Sequence, residues 1–322
     1  MNEDKDCEQN IVLFKSDIFF IQSARSTIKV ILIPSNISII PKKAFFNCLK
    51  LEIVNVPNTI LKIDSYAFCG CQKLKKINIP HSVKHIGISA FEGCKCIESI
   101  KISDDVLYID GSAFKGCTNL KYFVFPKGIS QISCSILYDC VNLSFVELPP
   151  MVTQINTCSF RGCKSLSKII IPSSVNVIGK YAFYDCTNLK TVILLSENES
   201  IKKSSSCNLK RNQTIIENAA FYYCTSLQEI SIPSHVSHLG NSVFTGCLNL
   251  ETITISSNIA KIGKSAFSLC RNLKHINIPN SVTEIGQYAF YNCTNLNQIN
   301  IPSTIRKIGY LAFDKQIHVN RN

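Results

Sequence analysis

Cysteine is the residue in this sequence whose type and spacing most clearly suggest chemistry. Eleven of the 17 cysteines follow one another at an interval of 23 residues, apart from one longer gap of 38 residues. They are Cys48, Cys71, Cys94, Cys117, Cys140, Cys163, Cys186, Cys224, Cys247, Cys270 and Cys293. Regularly placed thiols could pair as disulfides, bind a metal ion such as zinc, or pack as small apolar side chains in a core.

Two Cys-x-Cys pairs are the candidates for a metal site. Cys69 with Cys71, and Cys94 with Cys96, could together supply the four thiolates of a zinc centre. Their spacing differs from the usual Cys-x2-Cys, and Cys71 and Cys94 belong to the periodic set. Packing is therefore the preferred interpretation of these thiols, and we expect neither a metal ion nor a cofactor.

No other residue pattern indicates catalysis. The six histidines are scattered, and His235 and His238 in "PSHVSHLG" lack the glutamate of a zinc-protease motif. The sequence also shows no glycine-rich phosphate loop, nucleophile elbow or recurring pair of carboxylates. We predict that the protein is not an enzyme.

The cysteine spacing is one part of a longer repeat, as in "AFYNCTNLNQINIP" at 289–302. The i, i+4, i+7 spacing of Ala44, Cys48 and Leu51 predicts a short helical turn. The alternation of Ile299 and Ile301 predicts a half-buried strand, which the following proline ends. A glycine then recurs, where we predict a left-handed bend, at Gly87, Gly179, Gly240, Gly263, Gly286 and Gly309.

A unit with one short strand cannot bury its apolar side alone, whereas stacked units can. The predicted fold class is a β-rich repeat solenoid of about twelve coils of 23 residues, whose strands pair in parallel. We assign residues 1–27 to an N-terminal cap, 28–316 to the solenoid and 317–322 to a C-terminal tail. The polar stretch 196–210 is an insertion that we expect to loop out.

Stacking also bears on the thiols. Coils about 4.8 Å apart, with parallel side-chain directions, suit disulfide geometry poorly. We therefore expect the periodic cysteines to be buried free thiols. The cysteines outside the period should also be free, and their number favours a reducing compartment. They include Cys7, Cys134, Cys158 and Cys207.

At 171–194 the chain reads "IPSSVNVIGKYAFYDCTNLKTVIL", which resembles a unit of the BspA-like leucine-rich repeat family. The resemblance covers about residues 28–316, through Ile-Pro, Ser-Val, Ile-Gly, Ala-Phe, Cys and Leu at one spacing. It implies an α/β-type leucine-rich repeat fold, a right-handed solenoid with a parallel sheet on its concave side. It also implies a surface adhesin that binds a host or matrix protein.

Composition points to a different location. The net charge is +12, but no block of like charges concentrates it, so we expect no nucleic-acid binding. No apolar run is long enough to span a membrane, and the acidic "MNEDKDCEQN" does not resemble a secretory signal. These features predict a cytoplasmic monomer, a scaffold or recognition module for an intracellular protein. The resemblance implies the cell surface, and both hypotheses stay open.

The outward-facing strand positions suggest a binding face. They are polar in the early and late units, for example Asn78 and Asn300. In four consecutive central units they include large apolar residues, which commonly mark an interaction site. We predict that a protein partner binds through the concave face, at Tyr122, Val124, Phe145, Glu147, Ile170 and Ile193. A register error, or cover by the insertion after Ile193, is the competing explanation.

Overall fold

The computed structural model describes residues 10–12, 27–196 and 213–321. These residues form a parallel β-solenoid of about twelve coils, and they contain strands and turns but no helix. Each strand pairs in parallel with the corresponding strand of a neighbouring coil. The solenoid predicted from the repeat is confirmed, and its strands form two separate ladders.

The first ladder contains the strand predicted from the Ile-x-Ile alternation. Its strands are β1 (Asn10–Val12), β2 (Val30–Leu32), β4 (Ile53–Asn55), β6 (Lys76–Ile77), β9 (Tyr122–Val124), β11 (Phe145–Glu147), β13 (Lys168–Ile171), β15 (Thr191–Leu194), β17 (Glu229–Ser231), β19 (Thr252–Thr254), β21 (His275–Ile276), β23 (Gln298–Ile301) and β25 (His318–Arg321). Hydrogen bonding is interrupted after β6, between β11 and β13, and between β21 and β23.

The second ladder was not predicted. It contains β3 (Ile39–Ile40), β5 (Lys62–Ile63), β7 (His85–Ile86), β8 (Tyr108–Ile109), β10 (Gln131–Ile132), β12 (Gln154–Ile155), β14 (Val177–Ile178), β16 (Thr214–Ile216), β18 (Val236–Leu239), β20 (Lys261–Ile262), β22 (Glu284–Ile285) and β24 (Lys307–Ile308). The inward isoleucine of nearly every one of these strands is fully buried, as at Ile86 and Ile178. One inward residue per coil is enough to form a continuous buried column, because the neighbouring coils supply the same residue in register.

The predicted helical turn around Ala44, Cys48 and Leu51 is wrong. The segment that links each second-ladder strand to the next first-ladder strand is a series of tight turns. The backbone φ is positive there at residues such as Ser89 (52°) and Gly93 (73°). The backbone bonds of this segment are of two kinds: Phe91 N–H donates between coils to the Ala113 carbonyl at 2.8 Å, whereas Cys94 N–H donates within the coil to the Phe91 carbonyl at 3.2 Å. Stacking therefore uses part of the donors that a helix would use internally.

The predicted left-handed bend at the glycine column is also wrong. Positive-φ glycines lie elsewhere, for example at Gly70 and Gly246, and the column members such as Gly240 are not among them. The column needs glycine because backbones approach closely there. A Cβ on Gly240 would lie 2.4 Å from the Asn218 amide nitrogen of the preceding coil. Close approach, and not bend geometry, explains this repeat feature.

A stack of phenylalanine rings fills the core. Phe68 and Phe91 stack with centroids 5.3 Å apart and planes within 7°, and the pattern continues in most coils. Where Leu137 replaces the phenylalanine, the ring contacts pass through Phe123 and Phe125 on the adjoining strand. The core therefore keeps its aromatic continuity at the one unit that departs from the pattern.

The coils stack without interruption across the insertion. Phe183 and Phe221, which flank it in sequence, have ring centroids 5.2 Å apart and parallel planes. Val177 of β14 also pairs with Ile215 of β16. The insertion beyond residue 196, and most of the assigned N-terminal cap, lie outside the described residues. Within that cap, β1 pairs with β2 and extends the first ladder by one strand.

Candidate functional site

The central patch, which we define as Tyr122, Val124, Phe145, Ile170 and Ile193, lies on the outward side of the first ladder. The exposed fractions of Tyr122, Val124, Phe145 and Ile170 are 50%, 48%, 53% and 45%. Ile193 is half-buried, and Glu147 is exposed between Val124 and Ile170, inside the patch. Four consecutive strands of the first ladder, β9, β11, β13 and β15, therefore carry these side chains on their outward side.

Strand register places the patch residues together. Phe145 pairs with Tyr122, and Glu147 pairs with Val124, on β11 and β9. Ile170 pairs with Ile193 on β13 and β15. Tyr122 and Phe145 thus occupy one outward column. Val124, Ile170 and Ile193 occupy the next, with Glu147 between Val124 and Ile170.

A register error does not explain the patch. The residues that alternate with it are buried: Phe123, Val146, Ile169 and Val192. A shift by one residue would expose these core side chains, so the outward assignment of the patch holds. The other competing explanation is that the insertion covers the patch. It involves residues beyond 196, which lie outside the described part of the chain.

The same columns carry polar side chains in other coils. Exposed residues there are Lys76, Asn78, Glu229, Ser231, Thr252, Thr254, His275, Asn277, Gln298 and Asn300. A shallow depression of about 250 Å³ lies among His275, Asn277, Gln298 and Asn300, where the ladder opens between β21 and β23. The apolar character of the face is therefore local to its centre.

The periodic cysteines form a column of buried free thiols. Each thiol from Cys71 onward donates a hydrogen bond to a backbone carbonyl of the preceding coil, as Cys94 Sγ does to the Phe68 oxygen at 3.2 Å. Packing as a small hydrophobe was predicted, but this donor role was not. Burial raises the pKa of Cys117 to about 12, so the thiol keeps its proton and remains a poor nucleophile.

The Cys-x-Cys pairs do not converge on a common point. The thiols of Cys71 and Cys94 point into the core and donate to carbonyls, whereas Cys69 and Cys96 are only half-buried. In the described part of the chain, no three potential metal-ligating residues lie close enough together to hold an ion. The scattered histidines likewise assemble no site, although His85 Nε2 lies 2.8 Å from Asp110 Oδ2.

A second group of surface residues was missed by the sequence reasoning. Nine of the 11 tyrosines lie on the turn face, which we define as the turn segments that link each second-ladder strand to the next first-ladder strand. They are Tyr66, Tyr138, Tyr181, Tyr184, Tyr222, Tyr223, Tyr288, Tyr291 and Tyr310. Alignment of the units on their cysteines would have revealed this concentration before the structure was known.

No helix in the described ranges is long and apolar enough to cross a membrane. Two parallel ladders, tight turns and a fixed 23-residue period place the protein in the class of leucine-rich repeat solenoids. A family model for the BspA type leucine rich repeat region matches residues 20–144, 130–211 and 203–320. The chain belongs to this BspA-type family, as the sequence resemblance indicated.

Solved structures agree with this assignment. A leucine-rich cell surface protein from Faecalibacterium prausnitzii is 30% identical, with a TM-score of 0.57 and 89% of each chain covered. A leucine-rich repeat protein from Bacteroides ovatus is 25% identical, with a TM-score of 0.63, covering 91% of this chain and 92% of that one. The pneumococcal vaccine antigen PcpA shares the fold at 19% identity and a TM-score of 0.51, covering 91% of this chain and 79% of that one. No curated protein matches the chain.

Proposed function

We propose that the protein is a non-catalytic module that binds a protein partner through the first-ladder face, with the central patch as the contact surface. The observation that carries the proposal is the exposure of Tyr122, Val124, Phe145 and Ile170 on adjoining strands. Exposed apolar clusters on soluble proteins commonly mark interaction surfaces. Buried aromatic anchors also contribute a large share of the binding energy in protein interfaces.

The packed core beneath the patch supports this proposal. Phe123 and Phe125 fill the core directly under Tyr122 and Val124, and their rings are 4.7 Å apart. The patch is therefore held in place before any partner arrives, which lowers the entropic cost of association. Glu147 adds one negative charge within the patch, between Val124 and Ile170.

Two locations follow from different observations. The cell surface, with a host or matrix protein as partner, is favoured by the similarity to the cell surface protein of Faecalibacterium prausnitzii. A cytoplasmic scaffold that binds an intracellular protein is favoured by the free thiols of every described cysteine. Protease treatment of intact cells, followed by fractionation, separates the two because only a surface protein is cleaved.

The binding proposal is tested by capture of a partner from lysate of the source cells and from extracts of host cells and matrix. The variant combines Tyr122→Ala with Phe145→Ala, and the control combines Asn78→Ala with Asn300→Ala in the same type of position. We expect the first variant to lose a partner that the wild type and the control retain, with a nearly unchanged melting temperature. Retention of every captured protein by a stable Tyr122→Ala/Phe145→Ala variant would contradict the proposal.

A further inference from the structure

A file of alternating cations and aromatic rings runs along the turn face. The side chains of the residues that follow the core phenylalanine position in consecutive coils lie in contact there: Lys115, Tyr138, Arg161, Tyr184 and Tyr222. The Arg161 guanidinium carbon lies 5.2 Å from the Tyr138 ring centroid and 4.5 Å from that of Tyr184. Tyr184 and Tyr222 then stack at 5.0 Å with planes within 4°.

This stacking fixes which parts of the side chains remain available. Ring faces are used along the file, so the ring edges, the hydroxyl groups and the guanidinium edge are left for solvent or a ligand. The two rings hold the Arg161 fork in one orientation, which reduces the entropy lost when the fork binds a carboxylate. The file is therefore a preorganised row of hydrogen-bond donors.

The carboxylates in the adjoining column do not neutralise Arg161. Asp185 is engaged by Lys164 at 3.4 Å, and the Asp139 carboxylate lies over Gly162. Among the described residues, none forms an ion pair or a side-chain hydrogen bond with the guanidinium. Lys180 adjoins the file through Tyr181, whose ring lies 5.7 Å from that of Tyr184, and the Lys180 Nζ lies 5.0 Å from the Tyr181 ring. The Glu217 carboxylate accepts a hydrogen bond from the Lys180 backbone N–H, and the ammonium group has no ion-pair partner in the described ranges.

We propose that the turn face around Arg161 and Lys180 binds an acidic peptide segment of a protein partner, whose carboxylates pair with the guanidinium fork and the ammonium group. Arginine and carboxylate match in bidentate geometry, and tyrosine and arginine are enriched where proteins associate. The chain's net charge of +12 favours an acidic partner at long range. This surface is distinct from the central patch, so it adds a second contact to the proposed function.

The experiment uses the full chain and a fluorescein-labelled peptide of alternating glutamate and glycine, with fluorescence anisotropy at low ionic strength. We expect Arg161→Ala to weaken binding about tenfold, and Arg161→Lys to give a smaller loss because it keeps the charge but not the fork. Arg306→Ala is the matched control, since it removes the same charge from an exposed arginine of the second-ladder side. Its expected effect is less than about twofold.

Several outcomes overturn the proposal. They are an absence of peptide binding by the wild type, an equal loss in Arg306→Ala, or tighter binding of an RNA oligonucleotide than of the glutamate peptide. A fall in melting temperature for Arg161→Ala with undiminished peptide binding would also overturn it, because Arg161 would then only support the ring stack. If Arg161→Ala does not fold, Lys180→Ala decides: it leaves the stack intact and should weaken binding about threefold.

Discussion

The coils at 122–194 and those at 252–301 share one backbone and differ in the side chains on their outward strand positions. Both regions bury the same cysteine and leucine columns, and both bury a phenylalanine column that is interrupted in the first region by Leu137. On the first-ladder face, however, the first region presents Tyr122 and Phe145, whereas the second presents His275 and Gln298 at the equivalent positions. Fold and recognition are thus carried by different columns of one repeat, so recognition can change along the rod while the fold stays constant.

The equivalence of the two backbones is tested most severely by deletion. Removal of Thr252–Lys274, one whole 23-residue coil, should leave a folded shorter rod with a modest loss of stability. Removal of residues 252–262 places strand positions opposite turn positions, and we expect it to unfold the chain. Circular dichroism melts distinguish the two; equal results for both deletions would show that the coils are not independent units.

The shared core is tested by one substitution in each region. Phe183→Ala and Phe267→Ala each remove a ring stacked on both sides, at 5.2 Å in the first case and at 5.3 and 5.6 Å in the second. We expect each to lower the free energy of unfolding by about 3–5 kcal/mol in urea titrations. A cost confined to one region would contradict the equivalence of the two cores.

The thiol column predicts a pH dependence shared by coils along the whole rod. Burial raises the pKa of Cys117 and of Cys293 to about 12, above the value of about 8.5 that a thiol has in an unfolded chain. Above that lower value the unfolded chain loses protons that the folded chain retains. Stability should therefore be constant with respect to these thiols below about pH 8.5 and fall as the pH rises toward 12.

Urea midpoints measured between pH 7.5 and 10.5 check this dependence, with a weaker decline expected for Cys117→Ala and Cys293→Ala. A thiol reagent gives an independent readout. The exposed Cys134 should react in the native protein, whereas the column thiols should react only after denaturation. Rapid native reaction of the column would show that it is not sealed from solvent.

The smallest expected effect on stability comes from an exchange of outward residues. Tyr122→His with Phe145→Gln gives the central coils the side chains of the C-terminal ones, and His275→Tyr with Gln298→Phe does the reverse. Each pair should change the free energy of unfolding by less than about 0.5 kcal/mol, because the positions are exposed. Binding of an apolar dye should fall in the first pair and rise in the second. A large stability change in either pair would show that outward positions contribute to the fold.

Sequence patterns predicted the features that depend on period. The 23-residue interval identified the coil. Two-residue alternation identified Phe123 and Val146 as core residues and their strand neighbours as outward-facing. The turn geometry was predicted wrongly, because the spacing of Ala44, Cys48 and Leu51 fits one turn of a helix as well as a bend between strands. Pairing of donors between coils decides between them, and that is a property of stacked neighbours.

Other features were missed because they involve contacts between coils. A two-residue strand such as His85–Ile86 is too short to show alternation, so the second ladder left no separate signal. The roles of Gly240 and Cys94 both depend on the backbone of the preceding coil. The central patch could be located from its outward register, whereas the chemistry of its partner depends on a second molecule.

The direction of the ladder bonds has a mechanical consequence. Each coil is joined to its neighbours by bonds that run along the rod, so tension applied to the two ends loads every interface between coils equally and the weakest detaches first. Detachment of a coil releases 23 residues, or about 80 Å of extended chain. Under tension the rod should therefore lengthen in a series of equal steps at similar force. Such stepwise extension limits the maximum force that acts on a molecule attached to either end.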